Sequence, residues 1–283
     1  MLLVTFTALA FAAAPAQDTV VSVQRGDRLE AENHTGDITV RTWTRNAVML
    51  RARTGGRSVS LQRDEGEVLV ELNWEHGSPG RVDYELTVPA WMPLELSGIN
   101  TSITVLGTQA AISAETVSGS ITIEGGSGSI SAESVEGRVT VTGARGRIAV
   151  ESVNESVSVR NSSGTISAES VNGGITLTGI DSRDLAAETI NGAVTFTGPI
   201  RDGGSYAIST HNGDVTIGIQ DGANASVSVS TFQGEVSADF PIQVHGSREK
   251  DFSFKLGSGS ASLDIETFQG EIRLVRPANI RSR

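Results

Sequence analysis

Aliphatic residues recur at every ninth position of the chain between residues 103 and 175. All of these positions hold isoleucine or valine: Ile103, Ile112, Ile121, Ile130, Val139, Ile148, Val157, Ile166 and Ile175. An α-helix repeats about every 3.6 residues, so the spacing is not helical. A short strand with a tight turn takes about nine residues, and two such units make one coil of a solenoid. The pattern therefore predicts an all-β fold, a single-stranded parallel β-solenoid (β-helix) with about 18 residues per coil.

Each predicted coil contains two kinds of strand. The first reads Gly-x-Ile-Thr-Val, as in residues 36–40, or Gly-x-Ile-Thr-Ile, as in residues 119–123. The second reads Ile-Ser-Ala-Glu-Ser-Val, as in residues 130–135. Alternation of apolar and polar residues gives each strand one buried face. In the second strand we expect the isoleucine, the alanine and the final valine to point inward. The odd step between alanine and valine then requires a corner between them.

The order of segments predicts three parts. Residues 1–16 end in Ala14-Pro15-Ala16 after an apolar run, which is typical of a secretory signal peptide. Residues 17–94 predict an N-terminal β cap built as a meander. Residues 95–283 predict the β-solenoid repeat region with a C-terminal cap, and 17–283 is expected to form one continuous unit. Two groups of aromatic residues are expected to cover the ends of the solenoid. They are Trp43, Trp74, Tyr84 and Trp91 at the first coil, and Phe240, Phe252 and Phe254 at the distal end.

Stacked coils place equivalent side chains in files along the solenoid. One file holds glutamates: Glu115, Glu133, Glu151, Glu169 and Glu188. We interpret it as a solvated acidic edge, with calcium bridging as the alternative because Ca²⁺ takes several oxygen ligands. A second file holds asparagines that can hydrogen-bond to one another at a turn: Asn154, Asn172, Asn191 and Asn212. A third file is hydroxylic and outward-facing, as expected of exposed strand residues: Thr104, Thr122, Thr140, Ser158, Thr176, Thr195 and Thr216.

Composition narrows the function classes. The net charge of −11 argues against nucleic acid or an anionic membrane as the main partner. The chain has no cysteine, which excludes disulfides and thiolate chemistry. No segment after the leader is apolar enough to span a bilayer. Hydrolase, phosphate-loop and zinc-protease motifs do not occur, so we predict no catalytic residue, no cofactor and no dedicated metal site.

Two histidines and one tripeptide resemble functional motifs, but we interpret each of them as structural or coincidental. His34 and His211 occupy the repeat position that elsewhere holds Val117 or Val135, which indicates a packing substitution and not a metal ligand. Arg25-Gly26-Asp27 matches the integrin-binding tripeptide, but three common residues coincide easily, and we expect no such role here.

Several motifs resemble one bacterial family. They are residues 80–89 (GRVDYELTVP), Leu94-Glu95-Leu96, Ser97-Gly98-Ile99-Asn100 and the repeated Gly-x-Ile-Thr-Val. Together they resemble exported proteins known as putative adhesins, a domain of unknown function with β-strand repeats, related to the GIN head domain of putative auto-transporter adhesins. The resemblance covers about residues 30–275. It implies a β-solenoid in or outside the cell envelope and transfers no catalytic residues.

The sequence therefore favours an exported, non-enzymatic β-solenoid that serves as an adhesin-like binding or structural module of the bacterial cell envelope. The expected partner is an envelope glycan or protein, with the chain monomeric or weakly self-associating. Periplasm, medium and cell surface are all open as locations. The alternatives are a polysaccharide-acting β-helix enzyme and a self-assembling envelope filament.

Overall fold

A computed structural model describes residues 17–54, 58–73, 80–243, 245–248 and 251–277. The predicted signal peptide and Trp74 lie outside these residues. The strands are β1 (Gln17–Ser22), β2 (Arg28–Trp43), β3 (Ala47–Arg53), β4 (Ser58–Asp64), β5 (Glu67–Asn73), β6 (Asp83–Pro89), β7 (Leu94–Thr108), β8 (Ile112–Thr116), β9 (Ile121–Gly125), β10 (Ser127–Ser134), β11 (Val139–Thr142), β12 (Arg145–Ser152), β13 (Val157–Arg160), β14 (Ser163–Ser170), β15 (Ile175–Thr178), β16 (Asp181–Asn191), β17 (Val194–Thr197), β18 (Ser205–Asn212), β19 (Val215–Gly218), β20 (Ala225–Gln233), β21 (Val236–Ala238), β22 (His245–Arg248), β23 (Asp251–Leu256), β24 (Ala261–Gln269) and β25 (Ile272–Val275). No helix in this described part of the chain is long and apolar enough to cross a membrane.

The strands stack as two parallel faces of a solenoid. One face follows the second half of β2 and of β7, then β9, β11, β13, β15, β17, β19, β25 and β21. The other follows the first half of β2 and of β7, then β8, β10, β12, β14, β16, β18, β24 and β20. Ile112, Ile130, Ile148 and Ile166 are register partners, which confirms the 18-residue coil.

The interior combines aliphatic side chains with one hydroxyl per coil. In the coil that starts at Ile130, the isoleucine, Ala132 and Ser134 are all buried, whereas Val135 is 41% exposed. The alternation of inward and outward side chains thus continues through Ser134 and Val135 without a corner, and Val135 lies on the outer face. The expected corner between alanine and valine is therefore wrong. The buried hydroxyl is satisfied because Ser134 Oγ donates to the carbonyl of Gly119 in the preceding coil, at 3.0 Å.

The N-terminal end is covered by antiparallel strands, although not as a simple meander. β5 and β6 continue the solenoid, since they pair in parallel with the two halves of β2. β4 pairs antiparallel with β5, while β3 pairs antiparallel with β6 and β1 with β3. Tyr84 is fully buried, and Trp91 packs partly buried against the core. Trp43 is half-buried, and its indole nitrogen donates to the carbonyl of Ala47 at 2.7 Å.

The distal end inverts the order of the last two coils. The coil of β24 and β25, which comes last in the chain, lies between the coil of β18 and β19 and that of β20 and β21. β23 then pairs antiparallel with the outer side of β20, and β22 with β23. Phe254 is buried and Phe252 packs against the core at this end of the solenoid. Phe240 is also nearly buried, under the guanidinium of Arg276.

Candidate functional site

The outward-facing valines form a continuous apolar surface along one edge of the solenoid. In stacking order this apolar edge consists of Ile99, Val117, Val135, Val153, Val171, Ile190, His211, Phe268 and Phe232. Exposed fractions reach 47% at Val117 and 63% at Phe232. Soluble monomers rarely expose a contiguous apolar strip of this length, so the edge is the first candidate for a contact surface.

Backbone hydrogen bonds between coils hold the edge in place. The amide of Val135 donates to the carbonyl of Thr116, and the amide of Glu136 donates to that of Val117, at 3.2 and 2.8 Å. The same two bonds recur at Val153 and Asn154 in the next coil. The valines therefore sit on paired backbone, about 4.8 Å apart along the axis. Such a surface is rigid before any partner arrives.

The glutamate file runs beside the apolar edge, two residues earlier in each coil. The structure stacks all of its predicted members, Glu115, Glu133, Glu151, Glu169 and Glu188, in register, and every one is exposed. Glu32 and Glu266 are exposed carboxylates at the equivalent position near the two ends. Each strand therefore presents an acid and an apolar group side by side.

A shallow groove of about 290 Å³ lies between these two files. Glu115, Glu133 and Glu151 line one side, and Val117, Val135 and Val153 line the other. Thr116 and Ser134 form part of the lining between the two files, and Ser97 and Gly98 close one end. The groove can hold a side chain or a chain segment laid along the axis, one wall offering negative charge and the other apolar area.

The carboxylates make local hydrogen bonds with hydroxyls. Ser131 Oγ donates to Glu133 at 3.1 Å, and Ser167 Oγ donates to Glu169 at 3.2 Å. In the described residues, no three or more His, Asp or Glu side chains form a group that could hold a metal ion. Calcium bridging along the glutamate file stays a prediction.

The asparagine file on the other side of the apolar edge is confirmed as a structural ladder. Asn172 donates to Asn154 at 2.9 Å, Asn191 to Asn172 at 3.0 Å and Asn212 to Asn191 at 2.8 Å. Gln269 and Gln233 add a rung of the same kind at 3.0 Å. Because these side-chain amides hydrogen-bond to one another, we do not include them in a binding site. The adjoining apolar edge and glutamate file remain as the candidate contact surface.

Three rings stack at the distal end of the apolar edge. The Phe268 ring lies 4.7 Å from that of His211 and 4.8 Å from that of Phe232, tilted by only 6° and 7°. His211 is therefore a packing substitution, as expected, but it packs on the outside of the solenoid. Sequence reasoning missed this whole edge because it placed the valine position inside.

The Arg25-Gly26-Asp27 tripeptide offers no accessible carboxylate. Asp27 is 2% exposed and forms a 2.6 Å ion pair with Arg63, while the amide of Gln24 donates to it at 3.0 Å. The hydrogen bond from Arg63 lowers the pKa of Asp27, against the opposing effect of burial. Asp27 of the tripeptide is thus part of the internal structure of the cap.

Comparison with solved structures finds bacterial proteins whose names refer to adhesion. A putative adhesin from Bacteroides fragilis is 10% identical, with 92% of this chain and 97% of that chain covered and a TM-score of 0.43. A putative cell adhesion protein from Clostridium sporogenes is 9% identical, with 93% and 100% covered and a TM-score of 0.26. A putative adhesin from Parabacteroides distasonis is 8% identical, with 92% and 97% covered and a TM-score of 0.29.

No curated protein matches the chain. One family model does, that of Toastrack DUF4097, and it spans residues 14–275. This match includes both caps and every coil described above. The chain therefore belongs to the Toastrack DUF4097 family.

Proposed function

We propose that this protein is an exported, non-enzymatic, adhesin-like binding module of the bacterial cell envelope. The observation that carries the proposal is the rigid apolar edge, exposed over successive coils and bordered throughout its middle by the glutamate file. A long apolar surface lowers the solubility of a protein unless a partner covers it. Because this edge extends from Ile99 to Phe232, we favour a binding partner that covers it.

The charge of the groove indicates the chemistry of that partner. The groove between the two files is lined by valines, which offer area to apolar groups but, unlike the rings at the distal end of the edge, no aromatic face for a sugar ring. The glutamates repel an anionic membrane surface. An extended protein segment with lysine or arginine next to apolar side chains matches both files at once. We therefore favour an envelope protein over a neutral glycan as the ligand of this edge.

The ends of the molecule fit a discrete module better than a filament. Antiparallel strands cover the N-terminal end, where β4 borders β5 and β1 borders β3. At the distal end β23 and β22 lie outside β20. The change of strand direction at the N-terminal end, and on the β20 face of the distal end, reduces the parallel template that another solenoid would need for end-to-end stacking. Export is supported by the leader-like residues 1–16.

The test uses the purified protein and two synthetic peptides, one alternating lysine with valine and one alternating glutamate with valine. Isothermal titration calorimetry should detect binding of the lysine peptide and not of the glutamate peptide. The triple variant Val117→Ser/Val135→Ser/Val153→Ser should weaken that binding by about tenfold or more, because it removes the apolar wall. Thr122→Ser/Thr140→Ser/Thr176→Ser, on the other parallel face, is the matched control. Equal affinity in both variants, or no binding of the lysine peptide, would reject the proposal.

A further inference from the structure

A second surface lies at the corner that precedes β10, β12 and β14. Gly128, Gly146 and Gly164 stack there, with φ of 92°, 116° and 120°. A Cβ at Gly146 would lie 2.2 Å from the carbonyl oxygen of Gly128, and one at Gly164 would lie 2.0 Å from that of Gly146. Gly146 and Gly164 therefore leave no room for a side chain, and all three glycines are exposed, so the corner presents bare backbone to solvent. We call this line of exposed backbone the trough.

Polar and charged residues border the trough on both sides. One rim carries Ser127, Arg145, Ser163 and Asp181, and the other carries Ser129, Arg147, Thr165 and Asp184. Arg145 and Arg147 are exposed, and within the described residues neither guanidinium has a hydrogen-bond or ion-pair partner. They lie one coil away from the small rung Ser163-Gly164-Thr165, within reach of a ligand placed on it.

A β-bulge adds a third arginine on the far side of this rung. Ser163 pairs with Asp181 but Thr165 pairs with Asp184, so Ser182 and Arg183 together oppose Gly164. The bulge is pinned, because Ser182 Oγ donates to the carbonyl of Asp184 at 2.7 Å and Tyr206 donates to the carbonyl of Ser182 at 2.6 Å. The Arg183 side chain is thereby held on the outside.

A hollow of about 480 Å³ opens at this point, lined by Gly164, Thr165, residues 181–184 and Arg201. Arg201 forms two hydrogen bonds with Asp181, at 2.7 and 2.8 Å, which lower the pKa of that carboxyl. Asp202 is held ionised nearby, since hydrogen bonds from Ser260 and Asn224 lower its pKa. Fixed acids thus stand among the arginines. Such a mixture disfavours a highly charged anion and suits a singly charged group that carries hydroxyls.

We propose that this trough binds an acidic sugar unit of an anionic glycan, independently of the apolar edge. The guanidinium groups of Arg147 and Arg183 receive the carboxylate or phosphate, for which their planar donor geometry is suited. Asp184 and the hydroxyl of Thr165 are placed to bond the sugar hydroxyls. The glycine floor lets the ring approach the backbone closely. The whole protein carries a charge of −11, so the attraction for an anion comes only from the local arginines. Added salt screens this attraction, and the affinity should fall by the part that the arginines contribute.

The experiment titrates the purified protein with three probes by calorimetry: trigalacturonate, its methyl ester and glucose 1-phosphate. Trigalacturonate should bind and its neutral methyl ester should not. The response to glucose 1-phosphate shows whether a phosphate replaces the carboxylate. Arg147→Gln/Arg183→Gln should weaken binding by about tenfold. Thermal unfolding should change little, because both side chains are exposed and neither forms a hydrogen bond or ion pair within the described residues.

Arg138→Gln/Arg160→Gln is the matched control, since it removes the same charge from arginines that bond to Ser156 and Ser158 on the other parallel face. This control should bind as the wild type does. Three results would each overturn the proposal: no binding of either acidic probe at about 10 mM, equal binding of the methyl ester, or the same loss of affinity in both double variants. Loss of peptide binding at the apolar edge would leave these outcomes untouched, so the two proposals fail separately.

Discussion

The hydroxyl of Ser152 donates a 2.9 Å hydrogen bond to the carbonyl of Gly137, which lies in the preceding coil, and Ser152 is completely buried. It also accepts a hydrogen bond from the amide of Glu155 at 3.2 Å. The same hydroxyl-to-carbonyl bond recurs along the solenoid, from Thr116, Ser134, Ser170, Thr189, Thr210 and Thr267. This hydroxyl file fastens each coil to the turn of its neighbour.

Removing one of these hydroxyls should destabilise the fold. Ser152→Val leaves the buried carbonyl of Gly137 and the amide of Glu155 without their partner, and we expect a loss of about 1–3 kcal/mol in the free energy of unfolding. Ser152→Thr has the same shape as the valine variant and keeps the hydroxyl, so it should stay within about 1 kcal/mol of the wild type. Urea unfolding measures both. Equal losses in the two variants would show that shape, and not the hydrogen bond, determines stability at this position.

Two valines of the same coil should respond very differently to truncation. Val135 belongs to the exposed apolar edge and Val139, four residues later, has no exposed surface. Val135→Ala should cost less than about 0.5 kcal/mol, as for other surface substitutions. Val139→Ala should cost about 2–3 kcal/mol, because it removes buried methyl groups and leaves a cavity. A large loss at Val135 in urea unfolding would place that side chain inside, and the apolar edge would not exist.

The coil itself could be predicted from the recurrence of isoleucine or valine at every ninth residue, because these are the positions that face the core. The apolar edge could not. A pattern that reads apolar, polar, apolar, polar, polar, apolar can be explained by a corner or by a buried polar residue, and Ser134 is buried. What decides between them is the carbonyl of Gly119, which accepts the hydroxyl hydrogen from a different coil. Contacts between coils are not visible in one repeat.

The inverted stacking order of the last two coils could not be predicted from the sequence either. Residues 231–235 and 267–271 both read Thr-Phe-Gln-Gly-Glu, so either copy satisfies the same position in the stack. The long interval with Phe252 and Phe254 decides the outcome, since it lets β23 return along β20 and cover it from outside. The arginine trough also escaped detection because the bulge at Arg183 depends on pairing between coils.

Acid should weaken the cap through Asp27. Its pKa is lowered in the folded protein, first by the hydrogen bond from Arg63, so the pair stabilises the fold above the ordinary carboxyl pKa of 3.8. That stabilisation is lost as the pH falls through the lower, folded value. We therefore expect Asp27→Asn to be less stable than the wild type at pH 7, with a difference that shrinks below about pH 4.

Urea unfolding at several pH values follows this difference. Asp64→Asn is the control, because Asp64 is an exposed carboxylate in the same cap. It should change stability little at pH 7. If Asp27→Asn kept its full deficit at the lowest pH, the loss would come from the altered side chain and not from the ion pair.

The distal ring stack should depend most on its central member. Phe268 lies between two rings, with centroids 4.7 and 4.8 Å away, and is 38% exposed, whereas Phe232 is 63% exposed on the outermost coil. A stacked aromatic pair contributes about 0.5–1.5 kcal/mol beyond the area it buries. Phe268→Ala should therefore destabilise the protein by about 1–3 kcal/mol and Phe232→Ala by clearly less. The double variant should cost less than the sum of the single losses, because the two rings share one contact. A strictly additive pair in urea unfolding would mean that the rings are neighbours without stabilising each other.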